Sequence, residues 1–374
     1  MYHRDRQSAI WWMPSALVTG ATGFVGTHVV KCLLERQHYT TVYVLCRKGS
    51  KMNISKHAGK DVHRLDGDVE SEADVKAALL AAKPSYVFHL AGVYAWFQVD
   101  HARFDRVNVQ GVRNVVTACR AAGCEKLIHV STVLAFGNPA GRGLTASTAF
   151  DEATPAGPAA SAYAVSKHAG DCIAQASFDA GELDGCSLFL ACCIGADPKL
   201  LDDERDVMKI RPLVQGQIPA TIASSTTFTY VYVRDAAEAI VRAAEKDGNE
   251  RGERYLVGNQ RLSTGEYYDL IASLSGQPRP RWEVPASVAL GAGYVASWAA
   301  RRITGANPMA PADLVRTAAK GTLLFDATKS ERELGVVYTD IRVAFAEAID
   351  LITSPPEMPA DHAEATERLV EVES

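Results

Sequence analysis

The sequence predicts an α/β protein, a doubly wound parallel sheet with a smaller C-terminal region that closes over it. Three observations carry this. An apolar run from Ser15 to Val18 turns through Gly20, Gly23 and Gly26, and apolar residues then recur at helical spacing at Val25, Val29 and Leu33. Short apolar strands alternate with helical patterns for the first two-thirds of the chain, which argues parallel strands with helices on both faces. Beyond residue 193 the alternation gives way to a charged segment and a mixture of short strands and helices.

The strand, glycine turn and helix at the start have a physical reading. Gly20 lets the chain turn, Gly23 lets backbone N–H groups approach a pyrophosphate with no Cβ in the way, and Gly26 lets the helix press on the strand. A diphosphate would sit on the helix N-terminus, beside Thr22, Phe24 and Val25. This is the Rossmann arrangement, and it predicts a dinucleotide site.

Composition sets outer bounds. With 374 residues, 47% hydrophobic and 22% charged, the chain reads as an ordinary globular protein. A formal charge of −5 and the absence of a basic run argue against nucleic acid as a partner. The eight cysteines make no C-x-x-C pair and several fall in apolar strand or helix patterns, as in a reduced cytoplasmic protein. Cutting after the apolar run Ile10 to Val18 would destroy the first strand, so it is not read as an export signal. Met13 is then a second candidate start. Residues 1–12, with Trp11 and Trp12, and residues 354–374 are expected to be flexible ends.

A second strand, Thr41 to Cys46, ends at Arg47 and Lys48, where such a fold meets the adenosine ribose. No acid stands between Thr41 and Lys60 to bind both ribose hydroxyls, and a cation there accommodates a 2′-phosphate. NADP(H) is therefore favoured, with NAD(H) the other candidate. Val62 to Leu65 forms the next strand and leads to Asp68 and Val69, Asp68 being placed to face the adenine edge. Strand four, Tyr86 to Leu90, closes with Ala91 and Gly92, small residues that leave room beside a cofactor. His89 within it reads as packing rather than as a metal ligand. An aromatic loop with Tyr94, Trp96 and Phe97 follows and is the expected substrate wall.

A single helix is predicted from about 102 to 122, then a fifth strand, Lys126 to Val130, that delivers Ser131 and Thr132. The long loop 137–160 has the length and composition of a functional loop. It ends at Tyr163 and Lys167, four apart and so one turn apart on a helix face. An ammonium near a phenol favours the phenolate, which predicts a lowered Tyr163 pKa and a usable acid or base. Strand six is Ser187 to Cys193.

The domain boundaries predicted from this pattern are 15–193 with 229–251 for cofactor binding, and 194–228 with 252–352 for substrate. The apolar stretch Ala286 to Ala300, followed by Arg301 and Arg302, is shorter than the ~20 residues needed to span a bilayer. It reads as lid core, with a weak surface-lying membrane contact as its alternative.

Taken together, Thr-Gly-Ala-Thr-Gly-Phe-Val-Gly, Gly-Asp-Val, His-Leu-Ala-Gly, Asn-Val-Gln-Gly, Ser-Thr and Tyr-Ala-Val-Ser-Lys resemble the extended short-chain dehydrogenase/reductase (NAD(P)-dependent epimerase/dehydratase) family. The likeness runs over roughly residues 15–350 and is similar to the dihydroflavonol reductase-like branch, with its hydroxysteroid dehydrogenase relatives and bacterial hopanoid-associated members. The resemblance implies that Tyr163 exchanges a proton with the substrate oxygen. It also implies that Lys167 binds the nicotinamide ribose, that Thr132 or its neighbour Ser131 polarises the carbonyl, and that Asn108 supports them. One departure stands out: family members carry proline shortly before the glycine at 195, and here the run is Phe-Leu-Ala-Cys-Cys-Ile. It puts the thiols of Cys192 and Cys193 near the ring.

The expected activity is an NADP-dependent interconversion of a ketone or aldehyde and an alcohol on a fairly apolar small molecule, by a monomer or homodimer, with no metal. A nucleotide-sugar epimerase or dehydratase with retained NAD is the alternative. It would need cations such as Arg205, Lys209 and Arg211 to clamp a diphosphate. A nucleotide-sensing scaffold without turnover is disfavoured by the intact Tyr163 and Lys167.

Overall fold

The computed structural model describes residues 14–51, 56–57, 60–201, 208–246 and 251–355; the expectations for residues 1–12, for Arg205 and for the tail beyond 355 lie outside them. In chain order, β1 (Ser15–Thr19) enters α1 (Phe24–Glu35) through the glycine turn, and β2 (Thr41–Cys46), β3 (Lys56–His57), β4 (Lys60–Asp66), α2 (Glu72–Ala82) and β5 (Tyr86–His89) follow. α3 (Ala102–Asp105), α4 (Gly111–Ala122), β6 (Lys126–Thr132), α5 (Ala162–Asp179) and β7 (Gly185–Leu190) complete the nucleotide half. The remainder comprises β8 (Cys192–Ile194), α6 (Ile210–Val214), β9 (Ala220–Ile222), β10 (Thr227–Tyr232), α7 (Val233–Glu245), β11 (Glu253–Val257) and β12 (Gln260–Ser263). It ends with α8 (Thr264–Ser275), β13 (Trp282–Val284), α9 (Ala286–Ala299), α10 (Ala312–Ala319), α11 (Thr328–Leu334) and α12 (Ile341–Thr353).

The main sheet runs β11-β7-β6-β5-β1-β2-β4-β3, parallel throughout except for the two-residue edge strand β3. Strand order reverses between β1 and β5, the switch point at which such sheets open a crevice for ligands. Ala16, Leu17 and Val18 are fully buried because helices cover both faces. One face packs Val29 and Leu33 of α1 with Ile240 of α7, and the other packs Leu79 of α2, Val115 of α4 and Phe178 of α5. A third core holds the lid, where Tyr230 and Tyr267 stack at 5.8 Å beside Phe345.

Five expectations need correction. The helix expected across 102–122 contains a π turn at Arg106–Gln110; the extra residue turns Asn108 inward, where it is buried. Strand six breaks at Ala191, whose N–H donates to Val257 O, and β8 leaves the main sheet to pair with β10. β11, expected in the lid, is the edge strand of the main sheet beside β7. The long loop 137–160 is structural: Phe150 is fully buried between Phe136 and Phe325, and its N–H donates to Leu324 O. Finally, α9 is not lid core, since Val288, Val295 and Trp298 point to solvent.

Among the described residues no helix is long and apolar enough to cross a membrane. The seating of α1 on β1 is very close. A Cβ at Gly26 would stand 2.1 Å from Gly20 O and 2.8 Å from Gly20 C, backbone atoms that cannot yield alone. Gly26→Ala should therefore lift α1 off β1 at a cost of about 1–3 kcal/mol. A thermal melt should show the lower midpoint, and dinucleotide titration a weaker complex.

Candidate active site

A cavity of about 1380 Å³ lies along the carboxyl ends of the parallel strands. Its floor is the glycine turn. Gly20 has φ +72°, and a Cβ there would sit 2.6 Å from Ala91 N, so the turn closes on the end of β5 only with glycine. Gly23 caps α1 without any side-chain hydrogen bond, which leaves the first amides of the helix facing the cavity with Gly20, Thr22, Phe24, Val25 and Gly26 on its wall. This cradle fits the diphosphate of a dinucleotide.

At the far end the wall is Arg47, Gly49, Ser50 and Lys51. Arg64, which sequence reasoning passed over, holds this loop by donating to Arg47 O at 2.8 Å and Ser50 O at 2.7 Å. The Arg47 side chain is left exposed, without an ion-pair partner among the described residues. Four expected cofactor contacts sit elsewhere than on the wall. Lys48 points to solvent. Asp68 is turned into its own loop, where Oδ1 accepts from Glu70 N at 3.1 Å. Val69 is buried against Gly111, and Ala91 uses its N–H on Thr19 Oγ1 at 3.2 Å.

The reacting end is built on α5. Ser161 caps the helix by accepting from Ala164 N at 3.2 Å, and Tyr163, Lys167 and Asp171 follow at four-residue spacing, all buried. Lys167 Nζ donates to Val130 O at 3.0 Å. Beneath it, Asp171 accepts from Ser131 Oγ and from His129 Nε2, each at 2.8 Å. Ser131 and His129, alternate residues of β6, bond to Asp171 on α5, and Thr132, the last residue of β6, lies at the Tyr163 phenol and lowers its pKa. Of the two hydroxyls predicted, Thr132 is the one that meets the reacting group.

Electrostatics here differ from expectation. Burial, with Asp171 adding to it, pushes the Tyr163 phenol well above its usual range, and the Thr132 hydrogen bond only partly opposes this. Lys167 is not among the groups that set this shift; its ammonium bonds to Val130 O. Burial lowers the Lys167 pKa and Asp171 raises it. Burial likewise holds His129 low, against its bond to Asp171, so it packs as a neutral imidazole. His89 stacks on it at 5.8 Å and is bonded through Nδ1 to Thr19 Oγ1 at 2.8 Å, a packed strand residue. Asp171 was missed by sequence reasoning. The available signal was a third polar residue at i+8 from Tyr163, opposite His129 and Ser131 on alternate positions of a strand.

The aromatic loop lies over this end, with Leu90 and Gly92 at its base. Tyr94 packs its ring 4.9 Å from that of Tyr163 and 5.9 Å from that of Trp96, and Trp96 and Phe97 also line the cavity. Asn108 fixes the start of the loop: Oδ1 accepts from Val93 N at 2.8 Å, and Nδ2 donates to Val93 O at 3.1 Å and Ser166 Oγ at 2.9 Å. Cys192 and Cys193 form part of the wall; burial pushes the Cys192 thiol up to about 12 and Cys193 higher still, so both are neutral thiols. Lys209 reaches the wall, whereas Arg211 is tied to Leu201 O.

A dinucleotide cradle, a buried Tyr/Lys pair and a threonine on the phenol define an oxidoreductase of the extended short-chain type, acting at a CH–OH carbon. The chain belongs to the NAD dependent epimerase/dehydratase family, which matches residues 16–258. It is 28% identical over 341 residues to a putative dihydroflavonol 4-reductase of Synechocystis, covering 89% of this chain and 92% of that one. It is 29% identical over 346 residues to sterol demethylase protein B of Methylococcus capsulatus, covering 90% and 97%. Its fold matches UDP-glucose 4-epimerase of Thermus thermophilus, solved with NAD, at a TM-score of 0.68 and 22% identity over 91% of this chain and all of that one.

Asp171 is the one acid that holds up the Lys167 pKa. In Asp171→Asn that support is gone, so Lys167 loses its proton at lower pH. The alkaline limb of kcat/KM should move to lower pH, which a pH–rate profile measures. A purely structural role would lower the melting temperature and leave the limb in place.

Proposed function

We propose that the chain is an NADP(H)-dependent reductase or dehydrogenase that interconverts a ketone or aldehyde and an alcohol on a fairly apolar substrate. The observation that carries this reading is the run of ring contacts from Trp96 through Tyr94 to Tyr163, which joins an aromatic wall to a buried phenol one helical turn from Lys167 in the cavity. A substrate carbonyl bound there would accept hydrogen bonds from Tyr163 and Thr132. The bound cofactor supplies or takes the hydride at carbon.

The remaining steps belong to this chain. With its pKa raised, Tyr163 keeps its proton at neutral pH and can donate it to the oxygen that becomes the alcohol. Thr132 orients that phenol, and Lys167, fixed on Val130 O and backed by Asp171, presents its ammonium below it to hold the nicotinamide ribose. The neutral thiols of Cys192 and Cys193 offer no competing nucleophile. Arg47 and Lys51 at the adenosine end, with no acid from Thr41 to Lys60, support the 2′-phosphate form. Eight free cysteines support a cytoplasmic location. The names carried by the Synechocystis and Methylococcus relatives, a reductase and a sterol-demethylating protein, are in keeping with an apolar substrate.

Tyr163→Phe removes the proton donor but keeps the ring. NADPH-dependent turnover of ketones should fall by about 10²-fold or more while NADPH affinity barely changes. Turnover of UDP-sugars by the wild-type protein without added cofactor, and none of ketones, would replace this reading with the epimerase one.

Cofactor choice has its own test at Arg47. A lost charge-assisted phosphate contact is worth ~1.5–3 kcal/mol, so Arg47→Asp should weaken NADPH roughly 10–100-fold and leave NADH nearly as before. Fluorescence titration of both cofactors against both proteins decides it, and tighter NADH than NADPH in the wild type would refute the assignment.

A further inference from the structure

From Trp282 to Ile303 the chain turns its large apolar side chains outward. α9 packs on α10 through Ala289, Gly293 and Ser297, small residues at four-residue spacing, and a Cβ on Gly293 would already stand 3.1 Å from Ala310 O. The opposite face carries Val288, Val295 (67% exposed) and Trp298 (60%). Ile303, in the π turn that continues the helix, and Trp282 just before it are each 72% exposed. No charged residue stands between Glu283 and Arg301. A solvated helix face of this length ordinarily carries charge, and contiguous exposed apolar groups mark contact surfaces.

The rim is mainly basic. Between residues 276 and 312 the charges are Arg279, which pairs with Asp269 at 3.0 Å, Arg281, Arg301, Arg302 and a single acid, Glu283, which accepts from Ser224 Oγ at 2.7 Å. Arg281 and Arg302 are exposed and have no ion-pair partner among the described residues. We propose that this face, α9 with its π turn and Trp282, docks on an anionic lipid surface, lying in the interface rather than crossing it. Apolar residues and tryptophans would enter the boundary between headgroups and acyl chains while the arginines meet phosphates. A second copy of the chain fits less well, because the face offers no free acid to meet the arginines of its twin.

Position gives the contact a use. Gly305, Asn307 and Pro311, next along the chain, line the cavity, and the Arg301 guanidinium sits 5.4 Å from the ring of Phe97 on its wall. The mouth of the site therefore borders the docking face. Docking does not depend on the reaction proposed above; delivery of an apolar substrate out of the bilayer does.

Flotation of the full chain with vesicles tests the surface. Wild-type protein should float with vesicles of phosphatidylcholine and phosphatidylglycerol in equal parts, and at least about tenfold less with phosphatidylcholine alone. Val295→Asp combined with Trp298→Asp should abolish flotation, and Arg302→Glu should reduce it roughly fivefold. Both positions are exposed, so the double variant should keep its melting temperature and its dinucleotide affinity, which separates a lost surface from a lost fold or a failed cofactor site. Brominated lipids should quench tryptophan emission in the wild type and do so less in Trp298→Phe. Equal flotation of wild type and double variant, absence of flotation at low salt, or a wild-type dimer that the double variant converts to monomer would each overturn the proposal.

Discussion

The bare N-terminus of α1 is the constraint around which the nucleotide half is arranged. Gly23 gives the helix no side-chain cap, and Gly26 lets its first turn approach Gly20 so closely that a methyl group could not fit. The uncapped amides of that turn favour a negatively charged partner, and they open onto the cavity where strand order reverses. Because Gly20 also presses on Ala91 at the end of β5, the same contact sets where the aromatic loop begins. The glycine turn and the aromatic loop are thus placed by one contact.

A second constraint is the buried charge on α5. Two ionisable groups, Lys167 and Asp171, sit under Tyr163 with almost no exposure, an arrangement that is costly unless the remaining hydrogen bonds are satisfied. They are satisfied by Val130 O, Ser131 and His129, all from β6. Helix and strand are therefore locked in one register. The position of Thr132 relative to the phenol follows from that lock, since Thr132 is the next residue of the same strand.

The fold was legible wherever a local pattern decided it. Ala16 to Val18, the glycine turn and the Tyr163/Lys167 spacing depend on neighbours in sequence, and periodicity reads those directly. What escaped depends on contacts distant in the chain. Strand six looks continuous because Phe189 to Ile194 is apolar throughout, yet Ala191 bonds to Val257 and the chain changes sheet. The π turn leaves no periodic trace, because one extra residue in a helix shifts the pattern by less than the noise in composition. Loop 137–160 has the length and composition of a functional loop, yet buried Phe150 and backbone bonds from Gly143, Phe150 and Gly157 tie it to Leu324 and Phe136. The Tyr163 pKa went the other way because spacing shows that a lysine is near but not that the phenol is buried with Asp171 close by, and burial raises it most.

α10 meets the start of α5 directly. Asp313, in the first turn of α10, accepts from Ala162 N at 2.9 Å, and Arg316 donates to Ala160 O at 3.0 Å while pairing with Asp313. Ala162 is the first residue of α5 and Tyr163 the second, so α10 helps cap the helix that carries the phenol. α9 packs on α10 through Ala289, Gly293 and Ser297, with Arg316 donating to Tyr294 OH at 3.0 Å at the edge, which leaves little side-chain slack at the centre to absorb a shift. A displacement of α9 would therefore pass to α10 and on to the amide beside Tyr163. The lid in this chain is coupled to the reacting group through packed backbone and two hydrogen bonds, and the surface that faces away from the site is one contact removed from it.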